Sequence, residues 1–228
     1  MSDFLQEQIE YYRARAPEYD DWFYRRGRYD LGEEHTSQWQ REVQQVRDQL
    51  YSVSDIGQIL EMAPGTGIWT AELVQIGEGV TALDASPEMI SINRAKLGSD
   101  KVNYQLTDLF QYQPACQYDM VFFGFWLSHV PAAKLPRFLE TVYAALKPGG
   151  RLFIVDSRAV DLSRKHTGTA NLGDELQRRV LSDGRQFDIF KIYYDPAELT
   201  ETLRAHGFDI AVEMTDNFFI YADGCKLP

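Results

Sequence analysis

Apolar and polar positions follow a regular pattern through the central part of this 228-residue chain. From residue 57, short apolar runs of strand length alternate with segments in which apolar residues recur at helical spacing. Strands that alternate with helices favour right-handed crossovers and a mainly parallel sheet, so the pattern predicts an α/β fold. Strands are predicted over 57–62, 80–84, 102–107, 120–125 and 151–156, and helices over 68–76, 86–97 and 135–146.

The two ends of the chain differ from this central part. The first 56 residues have an amphipathic helical pattern with breaks near Pro17 and around 27–32. Near the C-terminus, strand-like runs at 187–194 and 208–221 flank a helical segment. No linker marks a second domain. The predicted units are a helical cap over 1–56, a core over 57–157, an insertion over 158–186 and C-terminal strands and helix over 187–228, all within one domain of 1–228.

Composition and charge narrow the possible partners. The formal net charge of −11 disfavours nucleic acid, whose phosphates require a basic surface, and leaves small basic or neutral partners. Cys116 and Cys225 are far apart and lack metal-ligand spacing, so free thiols and no metal site are expected. The N-terminus lacks a signal-peptide pattern, and no apolar run reaches the roughly 20 residues of a membrane span. A soluble cytoplasmic protein is expected.

The first predicted strand leads into a loop of small residues. Gly65 and Gly67 would let a ligand approach the backbone where the strand turns into a helix. A dinucleotide-binding loop, G-x-G-x-x-G, would place its third glycine at Thr70, whose β-branched side chain is too bulky for that position. Glu61 lies two residues before the loop, where a carboxylate would repel a pyrophosphate and attract a sulfonium or ammonium group. These residues disfavour a nicotinamide dinucleotide.

The run Glu-Met-Ala-Pro-Gly-Thr-Gly over 61–67 resembles the glycine-rich motif of class I S-adenosylmethionine (SAM)-dependent methyltransferases. Ala63 stands where that family has its first glycine. Two further stretches, 118–130 and 146–152, resemble the family's fourth strand and its turn into the fifth. The resemblance implies a Rossmann-like, seven-stranded, mainly parallel sheet with helices on both faces, an N-terminal helical lid, and SAM as the cofactor, with S-adenosylhomocysteine (SAH) as its product.

Two downstream acids extend this resemblance. Asp84 is expected to accept hydrogen bonds from the ribose hydroxyls, although a strand-end Asp that caps the next helix is an alternative. Asp108 corresponds to the family's acid facing the adenine amino group, and alone it would also fit a turn. The expected cofactor-binding residues are Tyr11, Tyr19, Glu61, Ala63, Gly65, Thr66, Gly67, Asp84, Ala85, Met89, Asp108, Leu109, Phe110 and Phe123.

His129 is the candidate catalytic residue. It follows the predicted fourth strand, and histidine suits a general base near neutral pH when the acceptor is a hydroxyl or a protonated amine. A histidine that packs beside the cofactor loop is an equally good interpretation, so the sequence leaves both roles open.

The aromatic run over 11–24 resembles the lid that closes over SAM and acceptor in small-molecule methyltransferases. A helical cap whose aromatics simply cover the sheet is the alternative. The acceptor is expected to contact Tyr12, Trp22, Trp126 and Arg158. Arg158 and His166 also fit a solvated insertion.

The function implied is SAM-dependent transfer of a methyl group to an oxygen or nitrogen of a small molecule. The tryptophans and tyrosines favour an aromatic or partly apolar acceptor. A non-catalytic SAM-binding protein remains an alternative, and a nicotinamide-dependent oxidoreductase is a weaker one. The sequence predicts neither the acceptor nor the oligomeric state.

Overall fold

A computed structural model describes residues 2–53, 55–159, 169–173 and 175–228. The helices are α1 (Ser2–Arg15), α2 (Tyr19–Phe23), α3 (Glu33–Leu50), α4 (Thr70–Ile76), α5 (Pro87–Leu97), α6 (Leu135–Ala145) and α7 (Pro196–Ala205). The strands are β1 (Ile56–Met62), β2 (Gly77–Asp84), β3 (Val102–Leu106), β4 (Tyr118–Gly124), β5 (Leu146–Ser157), β6 (Ala170–Asn171), β7 (Leu176–Val180), β8 (Gln186–Phe190), β9 (Phe208–Met214) and β10 (Phe219–Lys226).

The main sheet contains seven strands of the described residues in the order β3-β2-β1-β4-β5-β10-β9. Strands β1 to β5 are parallel, and β10 runs antiparallel to both of its neighbours. The prediction of a seven-stranded, mainly parallel sheet is confirmed. Because β1 and β4 are neighbours while β2 lies on the other side of β1, the sheet has its topological switch point at the carboxyl ends of β1 and β4. Ligands of open α/β sheets bind at such a point.

Two hydrophobic layers cover this sheet. Strand β4 is buried on both faces, with Val121 and Phe123 in the layer under α6, and Met120 and Phe122 in the layer under α3 and α4. Trp39 of α3 belongs to the second layer and is fully buried. The N-terminal cap therefore packs on the sheet through α3, while α1 and α2 extend towards the switch point.

Local signals in the sequence set several helix and strand boundaries. Ser86 caps α5, since its Oγ accepts a hydrogen bond of 3.2 Å from the backbone N–H of Met89, and Pro87 occupies the first helical position. Strand β5 begins five residues before the predicted Arg151, because the Pro-Gly-Gly segment continues the strand through an irregular register opposite β4.

A second, antiparallel sheet of β6, β7 and β8 differs from the expected arrangement. The strand predicted over 187–194 is β8, which pairs with β7 rather than with the main sheet. The predicted final strand region over 208–221 contains β9 and the start of β10, which form a hairpin. Tyr11 of α1 packs against Leu181 and Ile189 at this small sheet. Of the predicted insertion over 158–186, residues 160–168 and 174 lie outside the described residues.

Candidate functional site

In the loop after β1, two glycines and one alanine have positive φ angles. Gly65 and Gly67 have φ angles of 55° and 91°, and Ala63 has a φ of 56°, which is uncommon for a residue with a side chain. A Cβ on Gly67 would lie 2.6 Å from the Oδ1 of Asn93. Asn93 also donates a hydrogen bond of 2.9 Å to the Oγ1 of Thr70. The close approach of α5 to this turn thus requires glycine at 67.

Glu61 lies beneath this loop at the end of β1. Its side chain is 1% exposed, and its Oε2 has no hydrogen-bond partner among the described residues. Burial raises the pKa of Glu61 to about 8, although a hydrogen bond with Thr70 opposes the shift. A buried carboxyl with an unused oxygen is suited to a cationic ligand.

Two further acids lie at the ends of neighbouring strands. Asp84 accepts hydrogen bonds from the backbone N–H groups of Gly65 (3.1 Å) and Ser86 (2.8 Å). Burial raises the pKa of Asp84 to about 6, against the effect of these two hydrogen bonds. Asp108 accepts a hydrogen bond of 2.9 Å from the backbone N–H of Phe110. Both acids border one cavity.

This first cavity has a volume of about 390 Å³ and lies over the switch point. The structure brings together at its wall eleven residues predicted for the site: Tyr12, Tyr19, Ala63, Gly65, Asp84, Ala85, Met89, Asp108, Leu109, Phe110 and Trp126. The wall also contains residues that the sequence did not indicate: Leu5, Gln6, Gln8, Ile9, Ser86, Gln111, Gly124, Phe125 and Lys134.

A second, smaller cavity of about 50 Å³ adjoins the first. The two cavities meet at Tyr12, Tyr19 and Phe125, which border both of them. Of the predicted site residues, Tyr11, Trp22, His129 and Arg158 also border the second cavity. Its lining residues with a positive charge are Arg15, Arg28, Arg158, Arg179 and Lys191.

The cations of the second cavity are only partly neutralised. Arg28 lies 3.4 Å from Glu18, and Lys191 lies 3.0 Å from Asp156. For Arg15, Arg158 and Arg179, the described residues provide no carboxylate within ion-pair distance. In a protein with a net charge of −11, this cavity is a local positive region.

Arg15, at the end of α1, is held by aromatic rings. Its guanidinium lies 4.9 Å from the ring centre of Tyr19 and 5.6 Å from that of Trp22. The side chain is buried, and its Nε has no hydrogen-bond partner among the described residues. Stacking fixes the guanidinium plane at the cavity wall and leaves that donor unused.

His129 is buried in the 3₁₀ turn after β4. Its Nε2 lies 2.7 Å from the hydroxyl of Tyr12, and its Nδ1 lies 2.6 Å from the backbone oxygen of Phe190. Burial and the nearby charge of Lys191 hold the pKa of His129 well below its usual value, and Asp156 opposes them. The imidazole is therefore neutral, with both nitrogens engaged.

The cap contacts the core on two sides of the cavities. On α1, the Nε2 of Gln8 donates to the oxygen of His129 (3.1 Å), and its Oε1 accepts from the N–H of Phe190 (3.1 Å). On α2, Asp20 accepts a hydrogen bond of 2.6 Å from the Oγ1 of Thr66 and pairs with Lys96. The lid predicted from the aromatic run therefore has specific polar links to the site, and its role stays a prediction.

Several predicted residues lie elsewhere than expected. Phe123, predicted to contact the cofactor, packs in the core with its ring 5.4 Å from that of Phe138. Trp126, predicted for the acceptor, borders the first cavity, 5.7 Å from the ring of Phe110. Tyr11, predicted for the cofactor, borders only the second cavity of these two.

Thr66 and Gly67 shape the loop beneath the first cavity without bordering it. His166 lies outside the described residues.

Four cations of the second cavity were not predicted from the sequence: Arg15, Arg28, Arg179 and Lys191. Nor was Asp156, which pairs with Lys191 but does not itself border the cavity. One signal was available for Asp156, which ends the apolar run of β5 as Asp84 ends that of β2. The pair Arg178-Arg179 offered another, because consecutive strand residues face opposite sides and one of them must point inwards.

Comparisons with known proteins agree with this fold. Residues 59–150 match the family model described as a methyltransferase domain. A ubiquinone biosynthesis O-methyltransferase of Xylella fastidiosa (strain 9a5c) is 31% identical over 157 residues, which cover 67% of this chain and 61% of that protein. Its counterpart in Xanthomonas euvesicatoria pv. vesicatoria is 29% identical, over 67% of this chain and 62% of that protein. The chain thus spans about 62% of the length of such curated relatives.

A solved structure is similar over the full length. The DhpI–SAH complex is 35% identical, covers 100% of this chain and 99% of that chain, and superposes with a TM-score of 0.81. A complex of DhpI with SAM and HEP is 35% identical with a TM-score of 0.79, over 97% of each chain. This chain belongs to the class I SAM-dependent methyltransferases, and SAM is its cofactor. Among the described helices, none is long and apolar enough to cross a bilayer.

The residues of the first cavity fit SAM. Glu61 lies beneath the loop with an unused Oε2 and does not itself border the cavity, while Gly65 leaves the loop backbone open at the cavity wall. Asp84, Asp108 and Phe110 border the cavity, and the contacts with ribose and adenine expected of them stay a prediction. The thirteen residues predicted for the cofactor besides Phe123 are assigned to it as a proposal, of which Tyr11 has the weakest placement.

Proposed function

We propose that this protein methylates an oxygen of a small acid that binds in the second cavity. The proposal rests on one observation: a cavity that fits SAM lies next to a second cavity that is lined by five cationic side chains. When bound, SAM supplies a methyl group whose bond to the sulfonium sulfur breaks as an acid oxygen bonds to it, which yields SAH and a methyl ester.

Charge supports an acidic acceptor. Arg15, Arg158 and Arg179 lack carboxylate partners among the described residues, so the second cavity has a surplus of positive charge. Burying that surplus without an anion is unfavourable, and an acid would neutralise it with charge-assisted hydrogen bonds. The net charge of the chain indicated basic or neutral partners, but the charge of a cavity depends on the side chains that line it.

Size supports a small acceptor. The second cavity holds about 50 Å³, room for about four water molecules if each needs roughly 10–15 Å³. A phosphate, phosphonate or carboxylate group with a short substituent fits that space. Trp22, expected to favour an aromatic acceptor, instead packs 4.9 Å from the ring of Phe125 and holds Arg15. An aromatic acceptor is therefore disfavoured.

The reaction needs alignment more than proton removal. An acid is already ionised near neutral pH, and its oxygen can attack without a base. The cations hold the acid from one side. The acid then faces SAM where the two cavities meet, beside Tyr12, Tyr19 and Phe125. The described part of α1 covers both cavities and excludes water, as a lid does.

The relatives support oxygen as the methylated atom and leave rivals for the experiment. The curated relatives are named O-methyltransferases, and DhpI binds HEP together with SAM. N-methyltransferase NodS is 15% identical and shares only the fold. A SAM-binding protein without activity would bind SAM yet release no SAH.

A panel of matched acceptors tests the proposal. Purified protein with SAM is offered small carboxylic, phosphoric and phosphonic acids, each beside its neutral amide or ester, and SAH release is measured. We expect turnover with at least one acid, none with its neutral partner, and a product that mass spectrometry identifies as the methyl ester of that acid. Turnover with amines alone would exclude the proposal.

A further inference from the structure

The Tyr12–His129 pair fixes the position of two protons. The backbone oxygen of Phe190 can only accept a hydrogen bond, so the Nδ1 of His129, 2.6 Å away, carries a proton. In the neutral ring the Nε2 is then an acceptor, and Tyr12 donates its hydroxyl proton across 2.7 Å. The hydroxyl oxygen of Tyr12 is left with lone pairs alone.

The surroundings of His129 keep this arrangement neutral. The ring is 4% exposed, and the charged groups that face it are Lys191 after β8, Asp156 of β5 and Arg179 of β7. Tyr12 of α1 is the remaining titratable neighbour, and burial raises its pKa well above 10. An imidazolium beside Lys191 and Arg179 is unfavourable, so His129 is poorly placed to take a proton from an acceptor.

The direction of the Tyr12 hydroxyl proton matters because Tyr12 lies between the two proposed binding sites. Tyr12 borders both cavities, at the contact through which a methyl group must pass. A free tyrosine hydroxyl there would donate a charge-assisted hydrogen bond to the attacking oxygen of an acid, which stabilises the anion and makes that oxygen a weaker nucleophile. With its proton on His129, the same hydroxyl cannot do so, while Arg15 and Arg179 can donate to the acid from the other side.

We infer that His129 is a positioning residue that withdraws the Tyr12 hydroxyl proton from the methyl-transfer contact and so keeps the attacking oxygen of the acceptor free. The inference rests on the proposed function, because an ionised acid has no proton for a base to remove. In this role His129 acts on the acceptor only through Tyr12, and it does not take a proton from the acceptor as a general base would.

A double substitution distinguishes this role from a base and from packing. His129→Asn keeps a donor for Phe190 but removes the acceptor of the Tyr12 proton, so kcat is expected to fall about tenfold or more, as a new charge-assisted hydrogen bond from Tyr12 to the attacking oxygen would produce. Tyr12→Phe removes the interfering hydroxyl, but it also removes an atom from the wall that both cavities share. We therefore expect kcat to fall by only about threefold. The Tyr12→Phe/His129→Asn protein should recover to the Tyr12→Phe level, with KM for SAM unchanged.

His129→Gln and Tyr51→Phe serve as controls. Glutamine can offer an oxygen in place of Nε2, so His129→Gln should retain more turnover than His129→Asn. Tyr51 is exposed at the end of α3 and donates to Glu72, so its substitution should leave turnover unchanged. A double variant as slow as His129→Asn would overturn the inference, as would loss in His129→Asn of an ionisation in the kcat–pH profile that the wild type shows.

A spectroscopic arm separates this inference from the proposed function. Nitrogen NMR of the His129 ring in the SAH-loaded protein should show the neutral Nδ1–H form from about pH 6 to 9, and Tyr12→Phe should shift the Nε2 resonance. An Nε2–H form or an imidazolium would overturn the inference even if an acid is methylated. If no acid is methylated, the acceptor panel contradicts the proposed function, and the spectrum still tests the hydrogen bond between Tyr12 and His129.

Discussion

The Nζ of Lys191 lies 3.0 Å from the Oδ1 of Asp156, and both side chains are almost completely buried. Lys191 follows the last residue of β8 in the small sheet, while Asp156 belongs to the central strand β5 of the main sheet. Lys191 also donates to the Oγ of Ser128 (2.5 Å) and of Ser157 (2.9 Å). Burial alone would raise the pKa of Asp156, but the charge of Lys191 and the hydrogen bonds from Ser128 hold it below its usual value. The ion pair therefore attaches Lys191, at the wall of the second cavity, to strand β5 of the main sheet.

Removing one partner of this pair should be costly. Lys191→Met leaves Asp156 buried without a counter-ion, and we expect the free energy of unfolding to fall by about 3–5 kcal/mol in chemical denaturation. Adding Asp156→Asn should recover most of the loss. Lys147→Met is the matched control, because Lys147 pairs with Asp119 at the surface and should cost no more than about 1 kcal/mol. Equal losses for the two lysines would contradict the structural role of the buried pair.

Binding of SAM should release a proton from Glu61. The pKa of Glu61 is raised to about 8 by burial, so near pH 7 the carboxyl is mostly protonated. A cationic ligand favours the ionised form and lowers that pKa, and binding must then release close to one proton. Because the free protein holds more protons than the complex, the affinity for SAM should rise as the pH increases from about 6 to 8.

Calorimetry in buffers of different ionisation enthalpy measures this release. The observed binding enthalpy should vary with the buffer for the wild type and for Glu140→Gln, whose exposed glutamate lies on α6. Glu61→Gln should abolish the variation and weaken binding. Identical enthalpies in all buffers for the wild type would show that Glu61 does not change its protonation.

The positive φ angle of Ala63 is expected to lower the stability of the protein. Its φ of 56° costs a residue with a Cβ roughly 1–2 kcal/mol, which Ala63→Gly removes at the expense of a more flexible unfolded chain. We expect a net gain of up to about 1 kcal/mol in the free energy of unfolding. Ala71→Gly, inside α4, should instead lose about 1 kcal/mol. A destabilised Ala63→Gly protein would mean that the methyl group contributes packing that outweighs the strain.

Local signals made the first cavity predictable from the sequence. Asp84 and Asp108 each end or follow a strand, and parallel strands bring such ends to one edge, so their spacing along the chain was enough to place both at this cavity. Glu61 ends β1 at the same edge but is buried beneath the loop. The capping of α5 by Ser86 was visible for the same reason, since a helix start depends on neighbours in the sequence.

The second cavity was not predictable in this way. Arg15, Arg179 and Lys191 come from α1, β7 and the residue after β8, and they meet only because the small sheet packs under the cap. Residues near 179 have a polar pattern typical of a solvated insertion. Their function depends on the side of β7 that faces inwards, and the pairing of β7 with β8 decides this.

The central claim, that the second cavity binds a small acid, is tested most directly by titrating SAH-loaded protein with inorganic phosphate in a calorimeter. We predict saturable binding at one site, weakened about tenfold or more by Arg179→Gln, which removes a charge-assisted hydrogen bond. Arg178→Gln is the matched control, since Arg178 is the preceding residue of β7, is exposed and pairs with Asp188 at 2.8 Å, so it should leave the affinity unchanged. Absence of binding, or equal weakening by the two substitutions, would contradict the account.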